Sequence, residues 1–232
     1  MPSNSRAAIQ RAISLSRLAR LPTDVTESLV ADAVLLEVPA GGVPIRQGHE
    51  PTVGLIVSGL VRAFHTAADG RQITIRYARV GELLAVMSLY VERGGALGVE
   101  ALTGSRILML RPATARAIAE RDARVANLFA EEISIRLLRV VDELAGNTFG
   151  SMRQRVVRHL LDLAAGPTGQ RSPLVARVTQ QDLADAVGSV REVVVRLLRD
   201  LREEGLVQTR RDEIELLDPD RLHAETFPVG EY

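Results

Sequence analysis

The sequence contains no cysteine and no lysine among its 232 residues. Without cysteine, a disulfide framework, a thiolate zinc site, an iron–sulfur cluster and a redox thiol are all excluded. Without lysine, the 29 basic residues are all arginine, the side chain whose planar fork best matches phosphate and guanine. Net charge is zero, 29 basic against 29 acidic residues, so the total charge gives no argument for a nucleic-acid partner and the distribution must decide. No run approaches the ~20 apolar residues a membrane helix needs. The N-terminal stretch interleaves Arg6, Arg11, Arg17 and Arg20 with Ile9, Ile13, Leu15 and Leu18. It is too polar for a secretory signal core and reads as an amphipathic helix of a cytoplasmic protein. His49, His65, His159 and His223 are scattered without metal-ligand spacing. No Ser–His–Asp arrangement or glycine-rich phosphate loop stands out, so no catalytic, metal or cofactor site is expected and the chain is read as not an enzyme.

From about Val34 to Leu110 the chain has frequent glycines and short apolar alternations. Pro39-Ala40-Gly41-Gly42 and Arg46-Gln47-Gly48-His49-Glu50 are turns, Val53–Val57 and Leu60–Phe64 are strands, and Asp69-Gly70 is a two-residue hairpin signal. Ile73, Ile75 and Tyr77 then alternate with Thr74 and Arg76, and Val99 to Leu110 supplies the last strands. Many short strands at regular spacing predict a sandwich or barrel.

At Pro112 the period changes to helical. Leu128, Phe129, Ile133, Leu137, Val140, Val141 and Leu144 recur at steps of three and four, and Ile135 and Leu138 widen the apolar surface. A helix apolar on two sides needs two partners. One is its own β domain. The second is either the same helix of another subunit, with Leu128, Ile133, Leu137, Val140, Val141 and Leu144 as the seam, or the rest of a single domain. Gly146-Asn147 and Phe149-Gly150 mark a hinge, Arg153–Ala164 is a further helix, and Gly166-Pro167-Thr168-Gly169 is a loop.

The strongest signal runs from Val178 to Leu201. Thr179 is an N-cap with Asp182 three residues on. Gly188 stops a first short helix, whose face is Leu183, Ala184 and Val187. Ser189 is expected to cap a second helix, with Glu192 completing a capping box. Val194, Leu197, Leu198 and Leu201 are its buried side, and Gly205-Leu206 closes it. Two capped helices on a glycine turn are the helix-turn-helix of DNA readers, in which the second helix enters the major groove by its N-terminal end. Val190, Arg191, Glu192 and Arg196 stand there, where arginine can fork onto guanine and glutamate can accept from cytosine. Gln180 is placed for a phosphate at the first helix's positive end. Leu206–Thr209 and Ile214–Leu217 flank Arg210-Arg211-Asp212-Glu213 as a hairpin wing with two arginines at its tip. Arginines exceed acidic residues from Gly150 to Arg211, so the neutral total hides a basic stretch. A solvated helical hairpin that only mimics the motif is the bland alternative.

The run Val187-Gly188-Ser189-Val190-Arg191-Glu192, followed by Arg196-Leu197-Leu198 and Glu204-Gly205-Leu206, resembles the recognition helix of the cyclic-AMP receptor protein / fumarate–nitrate reductase regulator (Crp/Fnr) superfamily of transcription regulators. Leu55-Ile56-Val57-Ser58-Gly59-Leu60-Val61-Arg62 resembles its β-roll, Val80-Gly81-Glu82-Leu83 the start of its phosphate-binding cassette, and the helix from Pro112 its dimerising helix. The resemblance covers nearly the whole chain, most specifically its C-terminal half. It implies an α+β chain with a cyclic-nucleotide-binding-like β-roll over 1–111, a long dimerisation helix over 112–146 and a winged helix-turn-helix over 147–232. It further implies a homodimer on a palindromic operator, with double-stranded DNA, a second copy of the chain and RNA polymerase as partners and no membrane. Thr179, Gln180, Ser189, Val190, Arg191, Glu192, Arg196, Arg210 and Arg211 would then contact DNA.

The sensory half departs from the family. Where cyclic-AMP binders carry an arginine and a hydroxyl residue for the cyclic phosphate, counting back from Val99 reaches Gly95 and Ala96, and Arg93 lies two residues early. The adenine-contacting Thr-Ser pair of the dimer helix maps onto apolar residues near Leu137-Leu138 or Val140-Val141. A buried phosphate without an arginine partner is expensive. Control by cyclic AMP in the usual way is therefore not expected. Gly81, Glu82, Leu83, Arg93 and Ala96 are the candidates for an effector pocket, and Glu82 is either a ligand contact or a carboxylate satisfied within a turn. The alternatives are a cyclic-nucleotide-responsive regulator using a displaced Arg93, a ligand-independent dimer, and a β-roll interaction module that does not bind DNA.

Overall fold

A computed structural model of the chain describes residues 3–50, 52–68, 70, 72–91, 95–164 and 174–225. Contacts divide the chain into two units, Met1–Gly70 with Arg76–Leu138, and Arg71–Ile75 with Arg139–Tyr232.

The first unit opens with α1 (Ser3–Leu15), a 3-10 turn at Arg17–Arg20 and α2 (Thr23–Val30). It continues through β1 (Val34–Val38), β2 (Val53–Ser58), β3 (Val61–Thr66), β4 (Gln72–Ala78, of which residues 72–75 group with the second unit), β5 (Leu83–Leu84), a 3-10 turn at Val86–Tyr90, β6 (Gly98–Ala101) and β7 (Ser105–Leu110). Two sheets form, ordered β1-β7-β2-β5 and β4-β3-β6. Central β2 is buried at every position from Val53 to Val57 because both its faces are covered. Ile56 joins Val61, Ala63, Val99 and Ile107 in one core. Val53, Leu55 and Val57 join Leu108, Leu110, Ala12, Leu18 and Leu29 in a second core against the helices. Complete burial of each such aliphatic side chain stabilises by about 1.5–3 kcal/mol. In β4, Thr74 and Ala78 are buried, and strand alternation places Arg76 on their face rather than on an outer one. Asp69 and the side chain of Ile73 lie outside the described residues.

The helical region expected as one element from Pro112 is two, α3 (Pro112–Arg121) and α4 (Ala123–Phe149). Asp122 separates them in extended backbone, φ −125 and ψ 105. Its carboxylate accepts from the Arg124 N–H at 2.9 Å, and its carbonyl from the Val125 N–H at 3.0 Å. That side-chain cap is what a bare apolar periodicity does not register. Leu128, 4% exposed, is buried with Phe129 in the unit's own core, and Ile133 packs on that core. Leu128 is therefore spent within the unit and unavailable to an intersubunit seam, whereas Ile133 stays half-buried on that core. Leu137, Leu138, Val140 and Val141 are exposed, and the side chain of Leu144 lies outside the described residues. Helix α4 continues through the expected hinge at Gly146-Asn147 and ends at Phe149. The break is at Gly150-Ser151, where α5 (Met152–Ala164) begins with a reciprocal cap. The Gln154 N–H donates to Ser151 Oγ at 3.2 Å, and the Ser151 N–H to Gln154 Oε1 at 2.8 Å.

After α5 come β8 (Leu174–Arg177), α6 (Gln180–Val187), α7 (Arg191–Glu203), β9 (Val207–Arg210), β10 (Glu213–Leu216) and α8 (Pro219–Glu225). The Gly166–Gly169 loop lies outside the described residues. The strands form an antiparallel sheet ordered β8-β10-β9, one strand more than the expected hairpin. Val156, Val157 and Leu160 of α5, Leu183 and Ala184 of α6, Val194 and Leu201 of α7, and Leu206 are all buried in this unit. Arg153 ties its ends together, reaching Glu204 at 2.7 Å and Glu225 at 2.8 Å. Both carboxylates hold the Arg153 guanidinium protonated, raising its pKa.

Candidate nucleic-acid interface and effector pocket

Helix α6 begins at Thr179, whose Oγ1 accepts from the Asp182 N–H at 3.0 Å and donates to Asp182 Oδ2 at 2.6 Å. It ends at Gly188, held at φ 65 and ψ 44. The Ser189 N–H closes this turn on the Ala184 carbonyl at 2.9 Å, the bond that completes a left-handed helix C-cap. Ser189 ends the α6 turn, and α7 starts too late for it to be the cap. The N-cap of α7 is Val190, without a side-chain bond, so the Ser189–Glu192 capping box does not form. Glu192 instead sits in the first turn of α7, where a carboxylate complements the helix dipole. The far end of α7 repeats the earlier closure, the Leu206 N–H donating to the Leu201 carbonyl at 2.9 Å.

These caps fix which side chains face out. Val194, Leu198 and Leu201 are buried, while Val190, Arg191, Glu192, Val195, Arg196 and Arg199 are exposed. Beside the start of α7 lies a cleft of about 410 Å³ whose lining includes Thr179, Gln180, Gln181, Arg191, Arg210 and Arg211. It joins the positive end of α6, the first turn of α7 and the tip of the wing. Arg210 pairs with Glu215 at 3.5 Å. Among the described residues, Arg191, Arg196 and Arg211 pair with no carboxylate. Such a surface offers guanidinium forks to an anionic lattice and its base edges. Gln181, which lines the cleft, and Val195, exposed on α7, are not singled out by the sequence, because polar or apolar character alone does not separate a site residue from a solvated one.

In the first unit the effector candidates are partly consumed by the protein itself. Glu82 accepts from Arg76 Nη1 at 2.6 Å and from the Arg79 N–H at 3.3 Å. The Leu83 carbonyl accepts from Arg76 Nη2 at 2.9 Å and from Arg136 Nη2 at 2.8 Å. Arg136 also pairs with buried Glu132, which Arg17 reaches at 3.2 Å. Burial first, then repulsion from Arg136, lowers the Arg76 pKa to about 10, and it remains charged near neutrality. Gly81 is packed against α1, where a Cβ would come within 2.9 Å of the Leu15 backbone. The Ala96 carbonyl is 3.2 Å from His65 Nδ1. Glu82 and Leu83 thus come together with Arg76 and Arg136, Gly81 and Ala96 are engaged elsewhere, and Arg93 lies outside the described residues. Arg76 and Arg136 sit in distant segments.

Residues 35–122 match the cyclic nucleotide-binding domain, and residues 154–225 match the Crp-like helix-turn-helix domain. The transcriptional regulator LdrP of Thermus thermophilus is 31% identical over 183 residues, covering 78% of this chain and 90% of that protein. The cAMP-activated global transcriptional regulator Vfr of Pseudomonas aeruginosa is 26% identical over 165 residues, covering 68% of this chain and 77% of that protein. A solved CRP-family transcriptional regulator, also from Thermus thermophilus, superimposes with a TM-score of 0.67 at 29% identity, covering 82% of this chain and 95% of that one.

Proposed function

The chain belongs to the Crp/Fnr family of transcription regulators, and on that premise we propose that it acts as a homodimer on a two-fold symmetric operator, with α7 of each protomer in one major-groove half-site. The observation that carries this reading is the exposed N-terminal half of α7, where Arg191 in the first turn, lining the wing-tip cleft, and Arg196 in the second turn stand without carboxylate partners among the described residues. Arg191, Glu192 and Arg196 read base edges. Thr179, Gln180, Arg210 and Arg211 hold the backbone, which sets register without carrying sequence. The dimer reading is supported by the exposed aliphatic stretch Leu137, Leu138, Val140 and Val141 on α4. Bound at its operator, the dimer meets RNA polymerase as its protein partner.

The sensory unit works without cyclic AMP bound in the usual way. Support comes from Gly95 and Ala96 standing where a phosphate ligand would need an arginine and a hydroxyl, and from Arg76 occupying Glu82. A cyclic-nucleotide-responsive regulator using Arg93 is the second reading, favoured by the match of residues 35–122 to the cyclic nucleotide-binding domain. Calorimetric titration with cyclic AMP and cyclic GMP separates the two, micromolar binding of either favouring the second.

The DNA reading is tested with the full chain on a symmetric duplex selected from a random pool. We expect two chains per duplex and an affinity that falls by orders of magnitude between about 50 and 200 mM salt, as phosphate neutralisation demands. One chain per duplex overturns the dimer, and salt-independent binding overturns the interface.

A further inference from the structure

We propose that Val195, together with Val190, reads the methyl groups of thymine, so that each operator half-site carries thymine next to the guanine taken by the α7 arginines. The proposal rests on the DNA-reading role assigned above and names a part of the sequence that role selects.

The apolar residues of α7 divide sharply. Val194 and Leu201 are 0% exposed and Leu198 is 2% exposed, whereas Val195 is 41% and Val190 58% exposed. Helix spacing puts Val195 one turn beyond Arg191, one turn before Arg199 and on the same flank as Glu192. All of these neighbours are charged, so Val195 interrupts an otherwise ionic face. A β-branched residue there also weakens the helix relative to alanine. Its side chain stays outside the fully buried core and contributes apolar surface to the outward face. On the major-groove edge of a duplex, one base presents an apolar group, the C5 methyl of thymine, and small aliphatic side chains are its natural contact. From Val190 to Val195 a helix advances about 7.5 Å, roughly two base steps of ~3.4 Å. The two valines are therefore far enough apart to contact different base pairs, with Arg191 between them along the chain.

The test uses the full-length chain and the half-site it selects from random duplexes. Each thymine is replaced in turn by deoxyuridine, which deletes only the methyl. We expect one or two positions per half-site to lose about fourfold in affinity on replacement, the worth of one buried methyl-sized group. Val195→Ser, which replaces both methyls by a hydroxyl, should abolish that loss at one position while keeping the guanine requirement, and its circular dichroism should match the parent. Arg191→Ala should weaken binding yet keep the uracil effect. The proposal is overturned if the selected half-site lacks thymine, if no uracil replacement changes affinity, or if Val195→Ser retains every uracil penalty. In those cases sequence-selective binding by the chain still stands. If no sequence is enriched at all, the DNA reading falls and takes this proposal with it.

Discussion

Replacing Gly188 isolates the cost of the turn that sets α6 against α7. The residue sits at φ 65 and ψ 44, and a Cβ built on it meets no atom within 4 Å. The penalty for alanine is then the left-handed backbone alone, about 1–2 kcal/mol, with no steric contribution. Asparagine tolerates this region better and should lose less. The buried faces of α6 and α7, including Leu183, Ala184, Val194 and Leu198, are untouched by either change. Native-state hydrogen exchange at the Leu198 and Leu201 amides reports opening of the second unit without requiring the whole chain to unfold in one step. Gly188→Ala should lower that opening free energy by about 1–2 kcal/mol, and Gly188→Asn by less. A unit stable by several kcal/mol stays folded after such a loss, so operator affinity at 25 °C should fall by less than about twofold. Equal losses for alanine and asparagine, or a loss above about 4 kcal/mol, more than backbone strain alone supplies, would refute the reasoning.

The pKa of His159 is lowered to about 4, first by burial and then by Arg158 and Arg155. A base whose folded pKa is depressed binds fewer protons folded than unfolded. The second unit should therefore be fully stabilised above about pH 6.5 and lose up to roughly 3 kcal/mol as pH falls toward 4; His159→Gln should flatten that slope in exchange measurements, and an unchanged slope would exclude the histidine as its source. Leu137→Asp with Val141→Asp should convert dimer to monomer in analytical ultracentrifugation, since each leucine buried in a seam is worth about 1.5–3 kcal/mol and occurs twice. Arg211→Ala should weaken binding about equally on operator and random duplex and reduce the salt slope by about one, whereas a selective loss on operator would assign Arg211 to base reading.

The helix-turn-helix was legible because its signals are local. Thr179, Gly188 and Gly205 each act within one turn of the chain, and the structure uses all three as caps or stops. The misplaced cap at Ser189 comes from the same locality, since the residue qualifies both as a C-terminal closure of α6 and as a start for α7. The structure decides between them by starting α7 one residue later, with Val190 as its N-cap. Strand β8 was missed because four residues of ordinary character show no period, and its partner β10 lies far along the chain. The apolar pattern of α4 does not by itself divide core from exposed residues. Leu128 and Ile133 belong to the unit's own core and only the later aliphatic residues remain exposed. Least legible was the Arg76–Glu82–Leu83–Arg136 arrangement. Three separated segments supply it, so no local pattern joins them.

Replacing guanine by 7-deazaguanine in the selected duplex tests most directly whether the first turn of α7 works in the major groove. The substitution removes the N7 acceptor that an arginine fork requires and leaves Watson–Crick pairing intact. We predict one guanine per half-site at which the parent chain loses about fivefold or more, part of the roughly 1–3 kcal/mol carried by a bidentate pair, and at which Arg191→Ala or Arg196→Ala no longer distinguishes the two bases. Full affinity for a duplex carrying 7-deazaguanine at every guanine would contradict the account.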